Sequence, residues 1–300
     1  MNNSLEIISP DAIEADKVFG FHLNDEYRVL PRPRWGHGLA PHPVLEAVLE
    51  RSRTDYERVL SELELRRALL HQIEHEADPG RPTAPFWNNI WFTALDAATL
   101  VGLLLAKRPR HYFEIGSGHS TMFAAYAVRQ GGLPTIISSI DPNPRAEINA
   151  LCHRTIRAPL ETCRLHLFDE LGPGDILFFD GSHRVFQNSD VTAFFLDVLP
   201  RLKPGVLVHM HDIFLPSDYP PEWIKNLYSE QYLLAAMLLC PSPPFRVVFP
   251  SYFVCEDAVF GDRVRALLHS TGPKPDIPFF YVNPGAKPSN SFWIETTART

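Results

Sequence analysis

The chain has 300 residues, 45% of them hydrophobic and 21% charged, which is enough apolar side chain for one large or two modest globular domains and excludes a disordered polymer. Lys+Arg 28 against Asp+Glu 35 leaves a formal charge of -7. That is the wrong sign for a general binder of nucleic acid or of an anionic membrane.

Residues up to about 40 read as irregular and end in Pro31-Arg32-Pro33-Arg34-Trp35-Gly36. Helical periodicity runs from Pro43 to about His75, carried by Leu45, Val48, Leu49, Tyr56, Val59, Leu60 and Leu63, and Asp78-Pro79-Gly80 breaks it. This lead-in, residues 1–84, is compatible with packing on a core, a homodimer seam or a cover over a substrate site. From residue 85 to 300 a second region begins, in which short apolar strands alternate with helices. The pattern predicts a helix over Asp96–Lys107, a strand over His111–Ile115 and a helix over Ser120–Arg129. Strands follow at Thr135–Ile140, near His153–Arg157 and at Ile176–Phe179, then a helix over Ser189–Leu199 and a strand over Val206–Met210. Apolar strands separated by helices require a mostly parallel sheet covered on both faces, so the fold class is α/β, doubly wound. Near the C-terminus two β-rich runs, Phe245–Phe249 and Ser291–Ile294, with a modest helix over Val259–Leu268 between them, are expected to pair as an antiparallel edge.

The most apolar stretches, Ala97–Ala106 and Tyr232–Cys240, are about half the ~20 residues that span a bilayer, so no membrane association is expected. The first residues lack the basic and apolar regions of a signal peptide. Cys152, Cys163, Cys240 and Cys255 form no CxxC pair. A reducing, cytoplasmic setting is the expectation.

Chemistry concentrates at three strand ends. Glu114-Ile115-Gly116-Ser117-Gly118 joins a strand to a helix, where glycines let the backbone turn sharply and approach a ligand beside free helix N–H groups. A dinucleotide fingerprint needs a third glycine, but Ser120 stands two residues after Gly118. S-adenosylmethionine carries no phosphate and tolerates a looser turn, with Glu114 placed to meet its cationic amino or sulfonium end. Asp141, ending the second strand, is placed for ribose hydroxyls. Asp180-Gly181-Ser182-His183 and His209-Met210-His211-Asp212 end the next two strands. If those strands are neighbours, Asp180, His183, His211 and Asp212 share one rim, with two carboxylates for a hard cation and imidazoles for proton transfer. His209 shares a strand face with His211 and reads as a core histidine. The aromatic stretch Ile213–Trp223 reads as an acceptor lid, and Pro85–Phe92 as a wall of the same pocket.

Together, Glu114–Thr121, Asp141, Asp180–His183 and Leu199–Val206 resemble the class I S-adenosylmethionine-dependent methyltransferases, over a stretch from about Phe86 to the C-terminus. The resemblance extends to a bacterial group sharing the Val208–Phe214 and Ser291–Ile294 segments. It implies a seven-stranded sheet ending in an antiparallel pair, and cofactor contacts at Glu114, Gly116, Ser117, Gly118, Asp141 and Asp180, with Glu161 nearest to the adenine-contacting acid. A more distant similarity, to macrocin-type sugar O-methyltransferases, implies Mg²⁺ on Asp180 and Asp212 and His183 as the base towards an acceptor hydroxyl; this sequence departs from them in having His209 and His211 before Asp212. The acceptor expected is a small molecule or saccharide. A nicotinamide-dependent oxidoreductase and a non-catalytic cofactor-binding module remain as alternatives at this stage.

Overall fold

The computed structural model describes residues 30–279 and 289–298. The irregular reading of the N-terminus therefore lies mostly outside the described residues. The chain divides into two units, Met1–Arg32 and Pro33–Thr300. Of the first, only residues 30–32 are described, without regular structure.

In the second unit a seven-stranded sheet runs in the order β3-β2-β1-β4-β5-β7-β6. The strands are β1 (His111–Ile115), β2 (Ile136–Ile140), β3 (Arg154–Ile156), β4 (Ile176–Phe179), β5 (Leu207–Met210), β6 (Phe245–Pro250) and β7 (Phe292–Thr296). The first five are parallel, and β7 lies antiparallel to both β5 and β6. The expected antiparallel edge is thus present, with β7 inserted between its neighbours and a register irregularity between Val247 and Phe249. Every residue of β1, β4 and β5 is buried, as strands covered on both faces require.

Nine helices lie around this sheet among the described residues: α1 (Pro43–Glu50), α2 (Arg53–Leu65), α3 (Arg67–Leu70), α4 (Ala94–Lys107), α5 (His119–Gln130), α6 (Asp190–Ala193), α7 (Glu230–Leu238), α8 (Ser251–Glu256) and α9 (Ala258–Leu268). The periodicity over Pro43–His75 is broken into α1, α2 and α3, with turns at Arg51-Ser52 and Arg66. The helix expected over Ser189–Leu199 starts as α6, with the Ser189 hydroxyl capping Thr192 N–H. It then widens into a π-helical turn over Phe194–Val198 and closes at Pro200.

α4 is buried on nearly all sides, and this explains its apolar sequence. Its Gly102 lets α2 come close: a Cβ there would lie 2.2 Å from Leu63 Cδ2. α2 in turn carries Tyr56 into the core. Its hydroxyl donates to the Leu49 carbonyl at 2.8 Å, and its ring meets Phe249, Phe253 and Phe260 edge-on. The lead-in helices thus bury their apolar stripe against β6, α8 and α9. Tyr56→Ala is expected to cost about 3–5 kcal/mol in denaturant unfolding, whereas a change under about 1 kcal/mol would mark these helices as an appendage.

Candidate active site

The strand order reverses between β1 and β4, and at their carboxyl ends the sheet opens a crevice. Gly116 turns away from β1 at φ +79°, and a Cβ on it would sit 1.8 Å from the Asp180 carbonyl oxygen. No other residue type fits there, so the glycine turn lies directly on the end of β4. Gly118 is extended (φ 167°), a conformation open to any residue. A Cβ on it would be 3.6 Å from Arg145 Cβ, so its bareness leaves the gap between turn and Arg145 unfilled. Trp91, Phe92, Ser117, His119, Ser120 and Asp180 complete the lining of this cleft.

Asp141 braces the turn. One carboxylate oxygen accepts from Ser117 N–H at 2.6 Å and the other from Asn143 N–H at 2.7 Å. The Ser117 hydroxyl is 2.6 Å from that of Ser139. Glu114 lies elsewhere. It is fully buried and accepts from Tyr112 OH (3.1 Å) and from the Thr121 hydroxyl. Burial pushes its carboxyl up to about 7, against the opposing hydroxyls of Ser120, Thr121 and Tyr112. It ties β1 to the first turn of α5. Glu161 is half-buried, in a turn of 3₁₀ helix after β3, with Oε2 buried and unpartnered.

β4 and β5 are paired neighbours, so Asp180, His183, His211 and Asp212 do reach one rim. His183 Nε2 lies 3.2 Å from Asp180 Oδ1 and 3.3 Å from Asp212 Oδ2. Both His183 (φ 61°) and Asp212 (φ 58°) have left-handed backbone, an uncommon conformation for such residues that turns them onto the rim. His211 Nε2–H donates to the Trp91 carbonyl at 3.2 Å and lies 3.8 Å from Asp212. His209 stands back in the core, stacked on Phe178 at 3.9 Å and bonded to the Ser291 hydroxyl. Burial and the neighbouring His211 hold it far below the usual histidine range, hence neutral.

Three contributors were not singled out from the sequence. Glu230, opening α7, accepts from His183 Nδ1 at 2.8 Å, while Ser229 and Glu230 N–H groups clasp the His183 carbonyl at 2.7 and 3.2 Å. Asn290 donates from Nδ2 to Asp212 Oδ1 at 2.7 Å. Asp96, at the start of α4, fixes the strap that carries Asn290: it accepts from the Thr93 and Ser289 hydroxyls and from Asn290 N–H (3.2 Å) and Ser291 N–H (2.9 Å). The local signals were a cap-like Ser229-Glu230 before an apolar run and an acid in the first turn of a predicted helix. Nothing local pointed to Asn290.

The electrostatics follow from the crowding. Burial pushes the His183 pKa down, but Glu230, Asp212 and Asp180 outweigh it and raise it well above the ordinary value. Asp180 is pushed up by burial, yet the His183 hydrogen bond and the charges of His211, His183 and Arg145 hold it below the carboxylate range. Asp212 is raised, chiefly by burial. Two carboxylate oxygens and one imidazole nitrogen, all within 4.8 Å of one another, form a donor set that could hold a divalent cation. Asn290 Oδ1, on the side chain bonded to Asp212, is buried and unpartnered, which adds an oxygen short of a partner beside that set.

Residues 113–213 match the family model described as a methyltransferase domain. The matched stretch runs from within β1 to just past β5 and includes the glycine turn and the rim, on a Rossmann-like sheet of five parallel strands closed by an antiparallel pair. Similar solved structures include the O-methyltransferase TomG from Streptomyces achromogenes, involved in tomaymycin synthesis (16% identity, 69% of this chain and 81% of that chain, TM-score 0.38). Others are an O-methyltransferase from Bacillus cereus (14%, 80% and 91%, 0.37) and the Podospora anserina methyltransferase PaMTH1 (15%, 76% and 96%, 0.39). No curated protein matches the chain. Among the described residues, no helix is long and apolar enough to cross a membrane.

The Asp96 carboxylate is surrounded by donors only, so Asp96→Asn sets an amide N–H₂ against them. A loss of about 2–4 kcal/mol in unfolding free energy is expected. A near-neutral result in the denaturation curve would show that the 289–291 strap is held by other means.

Proposed function

We propose that the chain transfers a methyl group from S-adenosylmethionine to a hydroxyl oxygen of a small-molecule or saccharide acceptor, with His183 as general base. The observation that supports this most is the His183 imidazole: Nε2 points at two carboxylates beside the cofactor cleft, while Nδ1 is engaged by Glu230. In this reading residues 85–300 carry the chemistry and residues 1–84 extend it.

Methyl transfer is an in-line displacement at the methyl carbon, so the protein must align donor and acceptor and take up the acceptor proton. The bare turn at Gly116 and Gly118 admits the cofactor, and Asp141 holds Ser117 N–H so that the turn keeps its shape. We read Asp141 as the partner of the ribose hydroxyls, using the carboxylate lone pairs left after its two backbone contacts. Asp180, at the floor of the cleft, faces the cationic amino end, a role that Glu114 does not fit from its place in the core. His183 accepts the acceptor proton at Nε2 in its neutral form, which its raised pKa confines to pH above the ordinary histidine range, and Glu230 fixes the tautomer and stabilises the imidazolium that forms. Tyr228, with its ring 4.5 Å from that of His183, and Trp223 wall the acceptor side.

Asp180 and Asp212 are the residues that would hold a divalent cation such as Mg²⁺, with Asn290 Oδ1 beside them. Such an ion supplies Lewis acidity towards an acceptor hydroxyl. The four cysteines are unpaired, in keeping with a reducing cytoplasm.

The test begins with calorimetric titration of S-adenosylhomocysteine and, separately, NADH into the protein, with and without Mg²⁺. Binding of the first alone supports the cofactor reading, and binding of NADH instead overturns it. Radiolabelled methyl transfer to a panel of hydroxylated small molecules and saccharides then supplies a rate. His183→Ala should lower turnover by on the order of 10²–10⁴ and leave S-adenosylhomocysteine affinity nearly unchanged. Equal loss of turnover and affinity rules out the base. Chelation should abolish turnover, with recovery on adding Mg²⁺; full activity in excess chelator removes the cation from the scheme.

A further inference from the structure

The cofactor cleft carries opposite charges on opposite walls. The Asp180 carboxylate lines its floor. Arg145 closes the other side. It belongs to the loop after β2, and its backbone N–H donates to the Ser117 carbonyl at 3.3 Å, which carries the residue across the glycine turn. Its guanidinium lies over the Trp91 ring, 4.5 Å from the centroid. Trp91 is 48% exposed, yet its backbone is fixed: the Asn89 side chain accepts from Trp91 N–H and Phe92 N–H, and His211 donates to the Trp91 carbonyl.

No carboxylate pairs with Arg145 among the described residues, whereas Arg53, Arg154 and Arg263 all have such partners. A guanidinium held over an aromatic face in this way keeps N–H donors for a carboxylate, which it can engage with two parallel hydrogen bonds. A ligand that meets an anion and a cation across one narrow cleft is a zwitterion, and an α-amino acid group is the compact example. The N-terminus of α5 lies on the same side as Gly118 and adds unpaired N–H groups of its first turn.

We infer that Arg145 binds the carboxylate at the amino-acid end of the cofactor, with Trp91 as the platform that holds the guanidinium over the cleft and Asp180 facing the ammonium. The inference rests on the S-adenosylmethionine reading given above. It makes Arg145 a cofactor-binding residue that selects for the intact amino-acid end.

The test compares S-adenosylmethionine with decarboxylated S-adenosylmethionine, which lacks only the carboxylate, by calorimetric titration into the full chain. Wild type should favour the intact cofactor by on the order of tenfold or more. Arg145→Ala should bring the intact cofactor down to the affinity of the decarboxylated one and leave the latter unchanged. Arg145→Lys, which keeps the charge without the planar fork, should recover part of the preference. Trp91→Ala should lower the preference as well. Equal weakening of both ligands in Arg145→Ala would make Arg145 a structural cover, and an unchanged preference would place the carboxylate elsewhere; either overturns the inference. If wild type binds neither ligand, the cofactor reading itself fails, and the carboxylate assignment falls with it.

Discussion

The site depends on a contact too close for a side chain. Gly116 rests against the Asp180 carbonyl where a single methyl would overlap it, at positive φ. That contact sets the glycine turn of β1 directly on the end of β4. The cleft and the charged rim therefore share Asp180. β-sheet geometry supplies the remaining placement. Parallel pairing of β4 with β5 puts Phe179 beside Met210, so the residues after each strand leave the sheet side by side. The left-handed backbone at His183 and Asp212 then turns both side chains inward. Local strain of this kind persists only when the surroundings over-determine it. Here the clasp of the His183 carbonyl by Ser229 and Glu230, and the Asn290 bond to Asp212, do that.

Burying three carboxylates around one imidazole is expensive unless each finds a partner, because a low-dielectric interior disfavours every isolated charge. The arrangement divides the cost. Glu230, almost wholly enclosed, is pushed up to about 7 by burial and shares the Nδ1 proton of His183. Asp212 is partly answered by Asn290 and by His211, which is itself raised by Asp212, Asp180 and Asp96 against the opposing effect of burial. Asp180 sits at the edge of the cleft and has two histidines and Arg145 within electrostatic reach. The cluster therefore runs from a carboxyl raised by burial in the interior to one held below the carboxylate range at the cleft.

Much of this was legible along the chain. β1 and β4 begin and end where alternation of apolar runs and turns places them, because strands buried on both faces are written as uninterrupted apolar segments. Asp180, His183, His211 and Asp212 were readable as one rim because strand ends in a doubly wound sheet converge by topology. What escaped was everything fixed by distant pairing. Glu230 and Asn290 come from α7 and from the strap before β7, and their partners lie 47 and 78 residues away. α7 itself was visible only as an apolar run, since its exposed side also carries apolar residues, Tyr232 and Ala236, which blur the amphipathic signature. Glu114 shows what a motif leaves open. Its position just before the glycines suggested a ligand contact, but strand alternation points it into the core, where hydroxyls of Tyr112 and Thr121 receive it. A motif gives the position of a residue in the chain, and only the pleat decides which way the side chain faces.

Trp91 joins the two halves of the site through different parts of one residue. Its carbonyl receives His211, which stands beside Asp212, and its ring carries Arg145 above the glycine turn. The segment bearing it is capped by Asn89 and followed at once by α4, whose first turn holds Asp96 and thereby the strap of Asn290. The short stretch from Asn89 to Asp96 thus touches the roof of the cleft, the rim histidine and the support of Asp212. The backbone is tied at both ends, while the indole ring stays partly open to solvent beneath Arg145. A site can be rigid where charge must be placed and yielding where a ligand must enter, provided that the two properties fall on different atoms of the same residues. Trp91 has that division: fixed by its main chain, exposed by its side chain.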